Sequence, residues 1–151
     1  MFQYASNEDR SQFLRAYALT FDTGAKRALE RTLTVELREG TYAFGEAFEH
    51  FLIVDIMRLS SYAKNDWRFS YLKTEGDAEI DLIIDRPGMP RALVEIKSSD
   101  RVTERDTLAL NRSYPDLVPA EAFCLSRDPH EKKIGSVWCL PWRAGIARLG
   151  I

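Results

Sequence analysis

The chain has 151 residues, a formal net charge of −2 at pH 7, and a composition that is 45% hydrophobic and 29% charged. This length and balance predict one globular domain that buries about two-thirds of its unfolded surface. They argue against wholesale wrapping of nucleic acid, which needs a strongly positive face, but leave a local basic groove open.

The sequence also sets an expectation for location. It contains no apolar run of about 18 residues, and residues 2–9 are polar and acidic rather than signal-like. We therefore expect a cytoplasmic protein without a membrane partner. Cys124 and Cys139 lack CxxC spacing and are interpreted as free thiols in the core.

Residues 1–40 predict a helical accessory or connecting segment without site chemistry. A helix start follows Phe21, with Asp22 or Thr23 as its expected N-cap, and Gly40 is the expected stop. Residues 41–151 are expected to form the functional domain.

A long amphipathic helix is predicted over residues 42–62. Glu46 and His50 are expected on its solvated side. Glu49 falls at the rim of the apolar stripe, and Asp55 falls near the middle of that stripe. The residues expected on the apolar face are Phe44, Phe48, Phe51, Leu52 and Leu59.

Further strands and helices follow this helix, with a turn expected at residues 75–77. A helix from Thr103, its cap, to Tyr114 is expected to end at Pro115, and Pro141 is expected to open a terminal helix that reaches Leu149. The predicted strands cover residues 67–72, 78–84, 92–99, 122–126 and 134–140. This order predicts an α/β fold in which a small sheet has a covering helix on each side.

The second and third predicted strands carry charges where packed strands are usually apolar. Asp81 lies in the first of these strands, and Glu95 and Lys97 lie in the other. Because side chains alternate along a strand, Glu95 and Lys97 share a face. An unpaired buried charge costs about 1–3 kcal/mol or more, so a functional site is the expected use of these groups.

The hairpin register decides whether the two acids meet. If Asp85 pairs with Arg91 across a five-residue loop, Asp81 faces Glu95, whereas a four-residue loop places the acids on different faces. Facing carboxylates repel unless they are protonated or bridged by a cation. We predict the five-residue register with an ion between the acids.

Oxygen ligands without His or Cys suit Mg²⁺ or Mn²⁺, which engage phosphates and can polarise a phosphodiester. Lys97 could hold the attacking water or neutralise transition-state charge. Glu49 would complete the ligand set directly or through water, and Ile96 could add its backbone carbonyl. Asp55 and Ser98 are secondary candidates.

Four cations could line a phosphate-contacting rim: Lys73, Arg101, Arg105 and Arg112. The alternative interpretation is that these side chains belong to ordinary solvated faces.

Asp81, a thirteen-residue gap and then Glu95-Ile96-Lys97 resemble the signature of the PD-(D/E)XK nuclease superfamily. Glu49, on the preceding helix, is similar to that superfamily's first motif, and Ile80 stands where the proline of the motif's name would be. The resemblance implies a restriction-endonuclease-like core: a helix, a three-stranded meander, a helix and two strands.

A narrower resemblance covers most of the chain. Segments 21–24, 45–51, 79–84, 95–99 and 124–126 resemble the C-terminal nuclease-like domain of many bacterial AAA+ ATPases. The chain has no GxxxxGK[ST] match, which suggests a stand-alone form or a remnant of a longer ATPase. The resemblance implies a metal-dependent DNA nuclease. The alternative is a catalytically silent module that binds nucleic acid or a partner AAA+ ATPase. By fold-level analogy, a homodimer is a further partner to consider.

Overall fold

The computed structural model of the chain describes residues 36–73 and 79–151. The predicted N-terminal helical segment and the turn at residues 75–77 lie outside these residues, apart from residues 36–40. The described elements are α1 (Tyr42–Tyr62), β1 (Arg68–Lys73), β2 (Glu79–Asp85), β3 (Arg91–Lys97), α2 (Glu104–Leu117), β4 (Ala120–Ser126), β5 (Lys132–Ile134), β6 (Val137–Pro141) and α3 (Trp142–Leu149).

The strands form one mixed sheet in the order β1-β2-β3-β4-β6-β5. Strands β1 to β3 make an antiparallel meander. Strands β3, β4 and β6 are parallel, and β5 pairs antiparallel with β6. The α/β class predicted from the sequence is therefore confirmed.

Two apolar cores cover the two faces of this sheet. Ile53 of α1 and Ile146 of α3 share a core with Val94 of β3, whereas Leu110 of α2 packs in the other core with Leu93. Helices α1 and α3 thus lie on one face, and α2 lies on the opposite face. The expectation of helices on both sides of the sheet is confirmed.

Helix α1 has its predicted bounds, but its buried side agrees with the predicted apolar face only in part: Leu52 is completely buried, as expected. Thr41 caps it by accepting a hydrogen bond from the Phe44 amide at 3.2 Å. Ile53 and Ile56 are completely buried, whereas Phe51 is 41% exposed. His50, expected in solvent, is buried, so that prediction was wrong. The buried side is rotated because the sheet takes the isoleucines, while Phe51 meets α3.

Two other boundaries differ from the sequence predictions. Helix α2 continues through Pro115, since a proline in the last turn removes only one helical hydrogen bond. It ends where Val118 is extended before Pro119, because a residue preceding proline disfavours the helical conformation. The strand predicted at residues 134–140 is two strands, and Gly135, with φ of 60°, makes the turn between them.

Candidate functional site

The β2–β3 hairpin has the predicted five-residue register. Leu82 pairs with Val94, and Ile84 pairs with Ala92, which places Asp81 across from Glu95. At the loop end of the hairpin, Arg91 Nε lies 2.5 Å from Asp85 Oδ1. The register prediction is therefore confirmed.

Asp81 lies where β2 and β3 part. The paired positions of these strands end at Leu82 and Val94, and the β1–β2 register shifts between Ser70 and Leu72. Beyond this point, Asp81 Oδ2 accepts a hydrogen bond of 2.7 Å from the Ile96 backbone amide. This bond fixes one carboxylate oxygen of Asp81 against β3.

Glu95 and Lys97 form the centre of the site. Val94 and Ile96 pack in the core beneath α1, so alternation directs Glu95 and Lys97 to the other face. Glu95 Oε1 lies 2.5 Å from Lys97 Nζ. Glu95 is only 6% exposed, and its Oε2 is buried without a hydrogen-bond partner. Such an oxygen costs about 1–3 kcal/mol unless something binds it.

Glu49 reaches the same site from α1. It precedes Leu52 and Ile53 by three and four residues, so it lies on the sheet-facing side of the helix rather than at the rim predicted for it. The start of α1 lies close to the end of β3: a Cβ on Gly45 would lie 3.6 Å from Ser98 Oγ.

The carboxyl groups of the site have raised pKa values because they are buried and because their negative charges repel. Burial, followed by the nearby charge of Asp81, raises the pKa of both Glu49 and Glu95 to about 7. Burial also raises the pKa of Asp81, against the effect of its bond from Ile96. For Lys97, burial favours the neutral amine, but the neighbouring carboxylates, that of Glu95 above all, raise its pKa above the ordinary value. The site therefore has more carboxyl groups than its one lysine can neutralise, and Glu49 and Glu95 retain protons near neutral pH.

These groups line one cleft of about 1130 Å³ at the open end of the sheet. Seven of its described lining residues are acidic: Glu39, Glu46, Glu49, Glu79, Asp81, Glu95 and Asp100. Three are basic: Lys73, Lys97 and Arg127. A phosphate entering this cleft meets a net negative surface.

Some of the other predicted site residues line the cleft and some do not. Ser98 and Lys73 line the cleft, and Lys73 Nζ lies 4.0 Å from Glu79 Oε2. The cleft-lining residues include neither Asp55 nor the predicted arginines Arg101, Arg105 and Arg112. Those three arginine side chains are exposed elsewhere on the surface.

Sequence reasoning missed Arg127, which follows β4. Its guanidinium lies 5.2 Å from the centre of the Phe44 ring and donates a 2.6 Å hydrogen bond to Glu39. The one available signal was its position directly after a parallel strand, where functional residues of α/β sheets often lie.

The donor set fits a hard divalent cation in its chemistry. The carboxylates of Asp81, Glu95 and Glu49 supply hard oxygens, and Glu95 Oε2 is an unsatisfied acceptor. In the described part of the chain, no three His, Cys, Asp or Glu side chains converge closely enough to hold a metal ion as they stand. Lys97 instead contacts the Glu95 carboxylate, so a cation at Glu95 would compete with this ammonium.

Fold and site together define an α/β domain with an acidic, lysine-containing cleft at the end of its sheet. Residues 44–144 match the family described as "Domain of unknown function (DUF4143)". This chain belongs to that family. No curated protein and no solved structure gives a significant match. Across residues 36–73 and 79–151, none of the helices combines the length and apolar character that crossing a membrane requires.

Proposed function

We propose that this protein hydrolyses phosphodiester bonds of DNA with the help of Mg²⁺ or Mn²⁺. One observation carries the proposal: the unsatisfied, buried carboxylate oxygen of Glu95 lies beside Lys97 in a cleft that Asp81 and Glu49 also line. Hard carboxylate oxygens next to an ammonium suit the binding of a cation together with a phosphate.

The side chains have distinct roles in this proposal. Asp81, Glu95 and the Ile96 carbonyl would hold the ion, and Glu49 would bind it directly or through water. The bound ion would neutralise phosphate charge and favour ionisation of water. Lys97, oriented by Glu95, would position the attacking water or donate to the phosphate oxygens.

The surplus of acidic side chains in the cleft supports cation dependence. The cleft is lined by seven acidic and three basic side chains, so even with Glu49 and Glu95 partly protonated its acidic groups outnumber its cations, and a divalent ion would offset their repulsion of a phosphodiester. Glu49 and Glu95, each with a pKa of about 7, are partly protonated near neutral pH. A divalent ion that binds their carboxylates would displace these protons.

The finer classification rests on element order as well as on the site. We infer a restriction-endonuclease-like core and membership of the PD-(D/E)XK superfamily. Supporting this inference, α1, the β1–β3 meander, α2 and β4 follow one another in that order. Asp81 also stands opposite Glu95 by register, with Lys97 two residues further along β3. We propose the cytoplasm as the location of the reaction.

Cleavage of end-labelled single-stranded and duplex DNA, with Mg²⁺ or Mn²⁺, tests this function. We expect the wild-type protein to cleave, and Lys97→Ala and Asp81→Asn each to lose at least about a hundredfold in rate. Lys64→Ala is the matched control for Lys97→Ala, because Lys64 is exposed at the far end of α1. Absence of cleavage, or equal cleavage by all variants, contradicts the proposal.

A catalytically silent module is the second candidate. It is favoured by the short contact between Lys97 and Glu95, which engages the lysine that catalysis would use. Such a module would bind nucleic acid or a partner AAA+ ATPase without turnover. If the wild type and the Lys97→Ala variant bind DNA equally and neither cleaves it, this second reading replaces the first.

A further inference from the structure

A line of aromatic and cationic side chains runs from the cleft along α1 to α3. Its members, called here the aromatic track, are Arg127, Phe44, Phe48, Phe51, Trp142 and Arg143. None of the proposed catalytic groups belongs to it, and Arg127 is the member that also lines the cleft.

The α1 part of the track is built from stacked rings. The Arg127 guanidinium lies 5.2 Å from the Phe44 ring centre. Phe44 and Phe48 are stacked, with ring centres 6.5 Å apart and planes 13° from parallel. Phe51 follows Phe48 by three residues on the same flank of the helix. From Phe44 to Phe51 the track spans roughly 10 Å.

The α3 part continues from Phe51. Trp142 packs edge-on against Phe51, with ring centres 5.6 Å apart and an interplanar angle of 84°. The Arg143 guanidinium lies 4.1 Å from the centre of the Trp142 ring. The track therefore has an arginine stacked on a ring at each end.

The track is accessible to a ligand. Phe51 is 41% exposed, the most exposed aromatic ring of the track. Phe44, Phe48 and Trp142 are half-buried, and Arg143 is exposed. One exposed ring and three partly accessible rings, flanked at both ends by guanidinium groups, suit a ligand that carries both flat π-systems and negative charges.

We propose that the aromatic track binds single-stranded nucleic acid as it passes to or from the cleft. Unpaired bases stack on Phe51 and on the accessible parts of the neighbouring rings, and phosphates meet Arg127 and Arg143. A duplex hides its bases from such rings, so the track favours a single strand. This inference rests on the proposed nuclease function only for the chemistry at the cleft, since binding to the track needs no catalysis.

The track is tested by measuring how tightly the protein binds a fluorescein-labelled oligothymidylate of about 15 nucleotides. The affinity is measured by fluorescence anisotropy in a buffer that contains Ca²⁺. We expect Phe51→Ala and Arg143→Glu each to weaken binding at least about fivefold. The matched controls Tyr62→Ala and Lys64→Glu, near the far end of α1, should change affinity less than about twofold, because both residues lie beyond the track. Wild-type protein should also bind the strand at least about fivefold more tightly than a duplex of the same length. Both test positions are exposed, so the variants are expected to fold, and circular dichroism checks this.

Unchanged strand binding in folded Phe51→Ala and Arg143→Glu overturns the proposal, as does equal affinity for duplex and single strand. A change in sedimentation coefficient for Phe51→Ala with unchanged strand binding also overturns it, and identifies the surface as a contact between copies of the chain. If Phe51→Ala weakens strand binding while neither the wild type nor any variant cleaves DNA, the proposed track is supported and the proposed nuclease function is contradicted. If the protein cleaves DNA but both track variants bind normally, the track alone fails.

Discussion

Glu49 and Glu95 retain protons near neutral pH that exposed glutamates release. Burial, reinforced by the charge of Asp81, raises the pKa of both carboxyls to about 7 from an ordinary 4.5. The folded protein therefore binds more protons than the unfolded chain between these two values. Its free energy of unfolding falls as pH rises through that window.

This proton uptake gives a pH prediction for the protein without divalent cations. Urea unfolding in EDTA should show stability decreasing from pH 5 to pH 8. Glu95→Gln should flatten that decrease, because its amide cannot ionise, and should be more stable than wild type at pH 8 relative to pH 5. Glu104→Gln, at an exposed position on α2, is the control and should retain the wild-type slope. Parallel pH profiles for wild type and Glu95→Gln would contradict the raised pKa.

At the residue scale, the sequence was sufficient to predict that the two acids face each other, but not which side chains surround the cleft. Asp81, Glu95 and Lys97 could be predicted because alternation and hairpin register are local rules. Arg127 and the contact between Phe51 and Trp142 could not, since both depend on how α1 and α3 pack on the sheet. No spacing along the chain encodes that packing.

Helix α3 approaches the sheet closely at Gly145. A Cβ at this position would overlap the side chain of Leu125, which is completely buried in β4. The glycine is therefore a packing requirement inside a helix, where it is otherwise unfavourable by about 1 kcal/mol relative to alanine.

Gly145→Ala would raise the helix propensity of α3 but overpack its contact with Leu125. Overpacking costs about 1–3 kcal/mol, which exceeds the gain in helix propensity, so we expect a net loss of up to about 2 kcal/mol in the free energy of unfolding. Urea denaturation measures it. Ala144→Gly, at the neighbouring exposed position, should lose about 1 kcal/mol by propensity alone. Stabilisation by Gly145→Ala would show that α3 can move away from β4.

The bounds of a helix can be predicted from nearby residues, whereas the face that it buries depends on what packs against it. The bounds of α1 were predicted correctly, because the long apolar period of this segment is a local signal. Its buried face was predicted only in part: Leu52 was included, but Ile53 and Ile56 were not, because the large phenylalanines dominated the pattern. The turn at Gly135 was also missed. It depends on Asn111 of α2, whose side chain bonds to both Ile134 and Ser136.

Across the whole molecule, Arg86 joins three separate parts of the fold. Its side chain is completely buried. It donates to the Pro90 carbonyl at 2.6 and 3.0 Å, to the Leu149 carbonyl at 3.0 Å and to Glu121 Oε2 at 2.6 Å. The hairpin loop, the last turn of α3 and the start of β4 are thus held by one guanidinium, whose charge also suits a helix C-terminus.

Arg86→Leu removes every one of these bonds, places an apolar side chain among polar groups and leaves the buried Leu149 carbonyl without its donor. We expect the free energy of unfolding to fall by about 3–5 kcal/mol, measured by urea denaturation. Arg91→Leu is the comparison: Arg91 is partly exposed and pairs with Asp85, so its loss should cost about 1 kcal/mol or less. Similar effects for both variants would show that the buried network contributes little.

In an acidic cleft on a chain of net charge −2, the proposed function requires that Asp81, Glu95 and Glu49 bind a divalent cation. Isothermal titration of Mn²⁺ at pH 7, in two buffers of different ionisation enthalpy, tests this directly. We expect Mn²⁺ to bind with a Kd at or below about 1 mM and to release protons from Glu49 and Glu95. Asp81→Asn, which keeps an acceptor for the Ile96 amide, should lose both the binding and the proton release. No binding up to about 10 mM, or equal binding by Asp81→Asn, would contradict it.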